Sequence, residues 1–398
     1  MNKRKLFQKR GTKLATAWLQ LKHQKVRLLV ALSGVIFSVV IIFMQLGIRD
    51  ALFDSAVRFH QSLQGDIFLI SPRSTALIAM ESFPERRLLQ SLAFDEVDYV
   101  SPIYLDFAQW KNPNTRNYWR NIFVLGINLR HPVLNLPGIT ENIEKLKMPN
   151  TVLFDQGSRT EFGTIAQDFR RDGRVSTELG NPNGNRKVNV VGLFHLGTSF
   201  GSDGNLVTSH INFLRIFDNR QKGFIDVGLI KLKPDQDIQR TLEKLRKYLP
   251  KDVRVLSKSE FVNFEKKYWQ TSTAIGFIFN LGVALGIIVG VVVVYQILYT
   301  NVSEHLSEYA TLKAMGYRHS YLLSMVLQQA FLIAVLGYVP GFLIANIQYE
   351  FTKNATLLPV NMSLDRAVFV FILTLVMAFV SGATAVKKLQ DADPADIF

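Results

Sequence analysis

Residues 274–300 read AIGFIFNLGVALGIIVGVVVVYQILYT, 27 consecutive positions without a charge. A helix rises about 1.5 Å per residue, so a bilayer core of about 30 Å takes roughly 20 residues. This run exceeds that length, and buried helices of soluble proteins rarely go so far uncharged. Three other blocks share its character: Leu28–Ile48 with 21 residues, Tyr321–Tyr349 with 29 and Ala367–Val386 with 20. The sequence therefore predicts a membrane protein with four transmembrane α-helices. No Asp, Glu, Lys, Arg or His interrupts any block. Ion-coupled transport and proton pumping need buried ionisable groups, so neither is expected.

The rest of the composition is read around those blocks. Among 398 residues, 48% are apolar, Phe numbers 29 and mean hydropathy is +0.13, which excludes a disordered chain. Net charge is +14. Nine of the positive charges (Lys3, Arg4, Lys5, Lys9, Arg10, Lys13, Lys22, Lys25 and Arg27) precede the first block, with no acid among them. Such a segment stays on the cytoplasmic side and touches anionic membrane lipids. With four spans, both termini are then cytoplasmic. Nucleic acid is a poor competitor, because the basic residues abut a span and no nucleic-acid motif occurs. The first block is too long for the apolar core of a signal peptide, and no small-x-small cleavage site follows it, so it reads as an uncleaved anchor.

These readings divide the chain. Residues 1–27 form an amphipathic cytoplasmic segment, with Leu14, Trp18, Leu21 and Leu28 near one helical face. The spans are 28–48, 275–300, 321–349 and 367–386. Residues 49–274 form a large domain outside the membrane, 301–320 a cytoplasmic connection, 350–366 a short outer loop and 387–398 a cytoplasmic tail. The large domain is predicted to be mixed α/β. Strand-like runs are Asp66–Ile70, Asn121–Ile127, Thr151–Phe154, Lys187–Phe194, Phe224–Lys233 and Val253–Leu256. A short helix is expected after Pro84. Ile238, Leu242, Leu245 and Leu249 have helical spacing, and Pro250 ends that helix. Residues of about 106–220 are rich in Asn, Gly and Pro and read as a subdomain inserted into a smaller α/β unit. Tyr268 and Trp269 read as interfacial aromatics at the return to the membrane. Gly197–Asn205 reads as a mobile surface turn or as a contact loop for an outside partner, and His195 as a packed core residue.

Chemistry of several kinds is missing. There is no Cys, and hence no disulfide frame, thiolate metal site or cysteine nucleophile. The seven His contain no i, i+4 pair, and neither G-x-x-x-x-G-K-[ST], G-x-S-x-G nor H-E-x-x-H occurs. No cofactor, metal or catalytic residue is expected, and energy must enter from another subunit.

Two features point to mechanics instead. Gly282, Gly286 and Gly290 line one face of the second span and let another helix approach closely, either within the chain or across a dimer seam. In the third span Pro340 should kink the helix. The cytoplasmic connection suits a helix of about 12 residues, with Ser303 as N-cap and Gly316 just past its end. Leu306, Tyr309, Ala310, Leu312 and Met315 are its apolar members, framed by Glu304, Glu308 and Lys313. By itself it could lie on the membrane surface or enter a partner's groove.

Here the residues carry a resemblance. Glu308-Tyr309-Ala310-Thr311-Leu312-Lys313-Ala314-Met315-Gly316 resembles the E-x-x-x-L-[KR]-A-[MI]-G signature of FtsX-like, MacB-type permeases of ABC transporters. Lys387 to Asp396 resembles the closing K-L-x-x-x-D-P-A motif of that family. Tyr295–Thr300 with Glu308–Tyr317 is similar to the cyanobacterial permeases of glycolipid exporters. The resemblance implies a homodimer in a bacterial inner membrane. It also implies a separate ABC ATPase that engages Glu304, Glu308, Tyr309, Leu312, Lys313, Met315 and Gly316. Outside, it implies a periplasmic adaptor protein and a TolC-like outer-membrane channel, with lipid-like cargo driven from the periplasm. The same family includes mechanotransmission regulators of periplasmic enzymes and lipoprotein-releasing permeases, and the residues leave these open.

Overall fold

The computed structural model describes residues 25–181, 184–304, 315 and 319–390. It divides into two compact units, one of residues 1–50, 275–355 and 360–398, the other of residues 51–274 and 356–359. The predicted amphipathic face of Leu14, Trp18 and Leu21 lies outside the described residues.

Four long apolar helices cover the predicted spans: α1 Lys25–Ser62, α7 Ala274–Glu304, α8 His319–Thr356 and α9 Leu364–Gln390. The first runs 14 residues beyond the predicted end at Ile48, from Arg49 to Ser62. No Gly or Pro interrupts that stretch, and Leu52, Phe53, Ala56, Val57 and Phe59 along it are buried. The second span also runs on, so that Asn301–Glu304 form its last turn. Ser303 is therefore helical and is not an N-cap. Pro340 sits inside α8, whose helix continues on both sides of it.

The larger unit is built on one nine-stranded sheet. Its strands are β1 Ile67–Ile70, β3 Val97–Lys111, β4 Trp119–Ile127, β5 Thr151–Asp155, β6 Val175–Asn181, β7 Gly184–Phe194, β8 Asn205–Ser209, β10 Val227–Leu232 and β11 Arg254–Ser257. The order is β11-β1-β10-β3-β4-β8-β5-β7-β6. A further pairing of β3 with β6 (Gln109 with Gly180, Trp110 with Leu179) closes the last six strands of that order, β3 through β6, on themselves. Two short strands, β2 Phe83–Pro84 and β9 Phe224–Ile225, pair separately. The strands within the segment of about 106–220, β4 to β8, belong to the same sheet as the strands that flank it. The 15-residue β3 belongs to both halves, pairing with β10 at its start and β4 at its end.

Burial explains the strand sequences. All four residues of β1 are buried, Ile67 and Leu69 in one core cluster and Phe68 and Ile70 in another. Apolar side chains on both faces remove the alternation that a half-exposed strand would show. Trp110 is fully buried among Phe154, Phe162, Leu179 and Val188, and its indole N–H donates to the Phe162 carbonyl at 3.0 Å.

Shorter α-helices accompany the sheet among the described residues: α2 Arg86–Gln90, α3 Ile165–Asp172, α4 His210–Ile216, α5 Ile238–Tyr248 and α6 Lys258–Lys267. Their ends follow local chemistry. Asp237 accepts from the Gln239 and Arg240 N–H groups at the start of α5. Ser257 and Glu260 form a reciprocal capping box on α6, which satisfies two N–H groups that the helix leaves unpaired.

The Gly197–Asn205 segment is held by one buried carboxylate. Asp155, fully buried, accepts from the N–H groups of Gly157 (2.9 Å), Leu196 (3.1 Å) and Gly197 (2.8 Å) and from Asn205 Nδ2 (2.8 Å). Arg58 closes the arrangement on the Leu196 carbonyl at 3.0 Å. His195, expected in the core, is exposed, because alternation along β7 turns Phe194 and Leu196 inward and His195 outward. Asp155→Ala removes the acceptor of four donors, of which Asn205 Nδ2 keeps the Gly197 carbonyl while the buried Leu196 and Gly197 N–H groups are left unpaired, at about 1–3 kcal/mol each. Faster hydrogen exchange across 196–205 and a clearly lower melting temperature are expected for that variant in detergent; unchanged exchange would mean that the segment is held by other contacts.

Candidate functional site

The smaller unit packs around α1. Its buried residues Ala31, Val35, Val39, Ile42 and Leu46 recur at three and four positions, the spacing of one helical face. Glycines on its neighbours meet that face. A Cβ on Gly282 would fall 2.4 Å from the Gln45 side chain, and one on Gly286 would fall 2.8 Å from Ile42. A Cβ on Gly290 would meet Met377 of α9 at 3.0 Å and Ser38 at 3.3 Å. On α8, Gly337 and Gly341 approach Val35 and Val39 in the same way, at 2.5 and 2.8 Å. The three glycines of α7 therefore seat other helices of the same chain. Little else holds helices together in lipid, where apolar surface gains nothing by leaving the tails and close backbone approach supplies dispersion contacts.

One charged group draws a residue from three of the helices. Asp50, at the end of the uncharged stretch of α1, accepts from Arg49 on Oδ1 (3.1 and 3.0 Å) and from Arg366 of α9 on Oδ2 (3.2 and 2.9 Å). Arg49 also donates to Asn280 of α7 at 3.1 Å, and Arg366 to the Asn361 carbonyl at 2.8 Å. The fourth helix joins through Tyr349 of α8. The Arg366 guanidinium lies over its ring, 5.7 Å from the centroid. The Tyr349 hydroxyl donates to the Phe43 carbonyl of α1 at 2.5 Å, and Gly47 gives the ring room, since a Cβ there would lie 2.3 Å from it. Two forked guanidinium–carboxylate contacts on one Asp fix angles as well as distances. The available sequence signal is the position of Asp50 and Arg366 at the ends of uncharged blocks, where a charge is tolerated only if paired or wet.

Of the predicted coupling residues, Glu304 and Met315 are described. Glu304 is the last residue of α7 and is exposed, and Met315 is exposed in a turn. Glu308, Tyr309, Leu312, Lys313 and Gly316 lie outside the described residues.

The larger unit contains a cavity of about 300 Å³. Leu77, Ile78 and Met80 form one wall, and Asp106, Arg220 and Asp226 another. Arg220 grips the buried Asp226 at 2.6 and 2.7 Å and reaches Asp106 at 3.3 Å. Burial pushes the Asp226 carboxyl up, against the pull of Arg220. Among the described residues no group of three or more His, Cys, Asp or Glu could hold a metal ion. Trp269, expected at the membrane surface, is buried within this unit, its N–H donating to Glu265 at 2.8 Å.

Comparison with known proteins adds to this geometry. Residues 280–394 match the FtsX-like permease C-terminal family. The matched region contains most of α7, all of α8 and α9 and the segment between α7 and α8. The chain is a multi-pass membrane protein whose last three long helices are similar to that family. No curated protein matches it. Two similar solved structures each align with about half of the chain. The periplasmic region of MacB from Actinobacillus actinomycetemcomitans is 12% identical, over 50% of this chain and 91% of that one, with a TM-score of 0.34. The extracellular domain of the noncanonic ABC-type transporter YknZ from Gram-positive bacteria is 13% identical, over 49% and 100%, with a TM-score of 0.33.

Two outcomes test this packing of the four long helices. The absence of native Cys makes a double variant Ser38→Cys, Gly290→Cys clean, and the 3.3 Å approach of the two Cβ positions is near the ~3.8 Å typical of a disulfide. Oxidation should link the pair within one chain; a species of twice the mass on a non-reducing gel would place Gly290 at a dimer seam instead. Asp50→Ala leaves two arginines without their shared partner and should lower thermal stability in detergent, while Asp50→Glu should retain part of the loss. Equal melting of wild type and Asp50→Ala would remove the clamp from the account.

Proposed function

We propose that this chain is the permease subunit of a tripartite ABC exporter in a bacterial inner membrane. The observation that carries the reading is the FtsX-like match over residues 280–394. It spans the cytoplasmic connection in which Glu308–Gly316 resembles the family signature. The four uncharged blocks and the missing nucleotide motif support it, because such a chain has neither a proton path nor a nucleotide site of its own. A separate ABC ATPase binds Glu304, Glu308, Tyr309, Leu312, Lys313, Met315 and Gly316, and two copies of the chain pair in the membrane. The basic segment before the first span favours cytoplasmic termini, which leaves the α/β unit outside.

In this reading ATP-driven closure of the ATPases moves the helices. The outer domains, joined to an adaptor protein and a TolC-like channel, push cargo from the periplasm outward. The resemblance of Tyr295–Thr300 and Glu308–Tyr317 to DevC, the permease of the DevBCA exporter, favours a glycolipid cargo.

The test is coupling. Nanodiscs holding this chain should change the ATP turnover of an ABC ATPase that co-purifies with it, and a photocrosslinker at Leu312 should reach that ATPase. Gly316→Pro or deletion of 304–315 should abolish both effects while insertion stays intact. Turnover that ignores the permease, with no crosslink, would reject the proposal.

A further inference from the structure

Glu265 is the least ordinary titratable group of the larger unit. It lies in the last turn of α6 and is almost fully buried. Its Oε2 accepts from the Leu77 N–H at 2.7 Å, and its Oε1 from Trp269 Nε1 at 2.8 Å. The imidazole of His60, on α1, stands 3.7 Å from Oε2. That is too far for a hydrogen bond. His60 is completely buried against Phe261 at 4.4 Å, and neither of its ring nitrogens has a hydrogen-bond partner among the described residues. An aimed donor–acceptor pair just out of reach, in an otherwise apolar setting, has two arrangements open to it.

The surroundings contain little else that could answer a change of charge. On α1, Asp54 faces Lys266 of α6 at 3.9 Å near the surface. Arg254 of β11 lies over Phe264 rather than over the carboxyl. His60 is the titratable group that faces Glu265 within 4 Å among the described residues. Burial raises the Glu265 carboxyl to about 7, even though both of its hydrogen bonds favour the anion. Proton exchange therefore falls near neutral pH rather than in the usual acid range.

The two donors lead to two different segments. Leu77 belongs to the 71–82 loop, whose Leu77, Ile78 and Met80 wall the 300 Å³ cavity. Trp269 meets Phe200 edge-on at 5.0 Å, within the segment anchored by Asp155. We propose that Glu265 is a proton-operated latch on the 71–82 wall of that cavity. As the anion it holds the Leu77 N–H and the Trp269 indole with charge-assisted bonds. When it takes a proton from solvent, its O–H turns to the free Nε2 of His60, and the weakened bond lets Leu77 go. No bond other than hydrogen bonds forms or breaks. That the external medium supplies the proton rests on the orientation proposed above; the latch itself does not.

The sign of the linkage follows. A carboxyl whose folded value lies above its free value of roughly 4.3 keeps its proton in the folded state after the unfolded chain has lost it. This group therefore favours the folded unit most below about pH 4 and loses that contribution as pH rises to about 7. Loosening of Leu77 at acid pH is then local, and is not the start of global unfolding.

The experiment uses the full chain in nanodiscs. Infrared difference spectra between pH 5 and 9 should contain a protonated-carboxyl band titrating near neutrality, absent in Glu265→Gln. Hydrogen exchange at Leu77, corrected for the intrinsic pH effect, should be several-fold less protected at pH 5.5 than at pH 8.5. In Glu265→Gln that ratio should fall to about one, and in His60→Phe the neutral form should lose its acceptor and the midpoint should move to lower pH. If the variants misfold, the wild-type spectrum decides alone. No carboxyl titrating between pH 6 and 8, or protection at Leu77 independent of pH, overturns the proposal. ATPase coupling can fail while this titration persists, and the reverse, so the two proposals fall separately.

Discussion

Lipid tails are as apolar as leucine, so the four long helices of this chain gain nothing by hiding apolar surface from each other. Contact between them has to come from shape and from a few polar groups. Shape is supplied by glycines at 282, 286, 337 and 341, each of which lets a side chain of a neighbouring helix approach to a distance that a Cβ would forbid, and by Gly290, where a Cβ would fit only tightly. Polar contact is concentrated on Asp50, which carries two arginines and, through Asn280 and the ring of Tyr349, reaches all four helices. The packing of the membrane unit rests on these two devices.

The α/β unit answers the opposite problem. In water, burial is the driving force, and its sheet buries both faces, with Trp110 at the centre of one cluster and Phe68 and Phe261 in another. The cost falls on polar groups that must be enclosed. Asp155 meets it with four donors, and Asp226 with Arg220 and the Leu105 N–H. Glu265 has only two donors and an imidazole just beyond reach. The three carboxylates are equally hidden and unequally satisfied, which is why one of them is suited to change state.

Sequence reasoning reached the helices of the membrane unit and most strands of the α/β one. It located six strand runs and the helix of Ile238–Leu249, because each has a strong local pattern. It missed β3, β6, β8 and the two-residue β2. In β3, Pro102, Asp98 and Asp106 break the apolar run, yet the strand persists because partners on both sides supply its hydrogen bonds. Trp269 and His195 were misplaced for a related reason: aromatic and imidazole rings are amphipathic, and only their neighbours decide whether they face a core or solvent. The helix start expected at Ser303 failed because α7 continues through Glu304, where buried Leu298 and Val302 favour one more turn.

By itself the sequence determined that the chain crosses a membrane four times and that a large α/β domain lies between the first two spans. Those properties depend on length, on charge and on short motifs, all of which are local along the chain. Tertiary structure alone decided which residues meet. Asp50 and Arg366 are 316 positions apart, and His60 and Glu265 come from helices separated by most of the α/β domain. A carboxylate's partners, and with them its charge, are set by what folding brings within a few ångströms, and no pattern of neighbours in the chain encodes that distance.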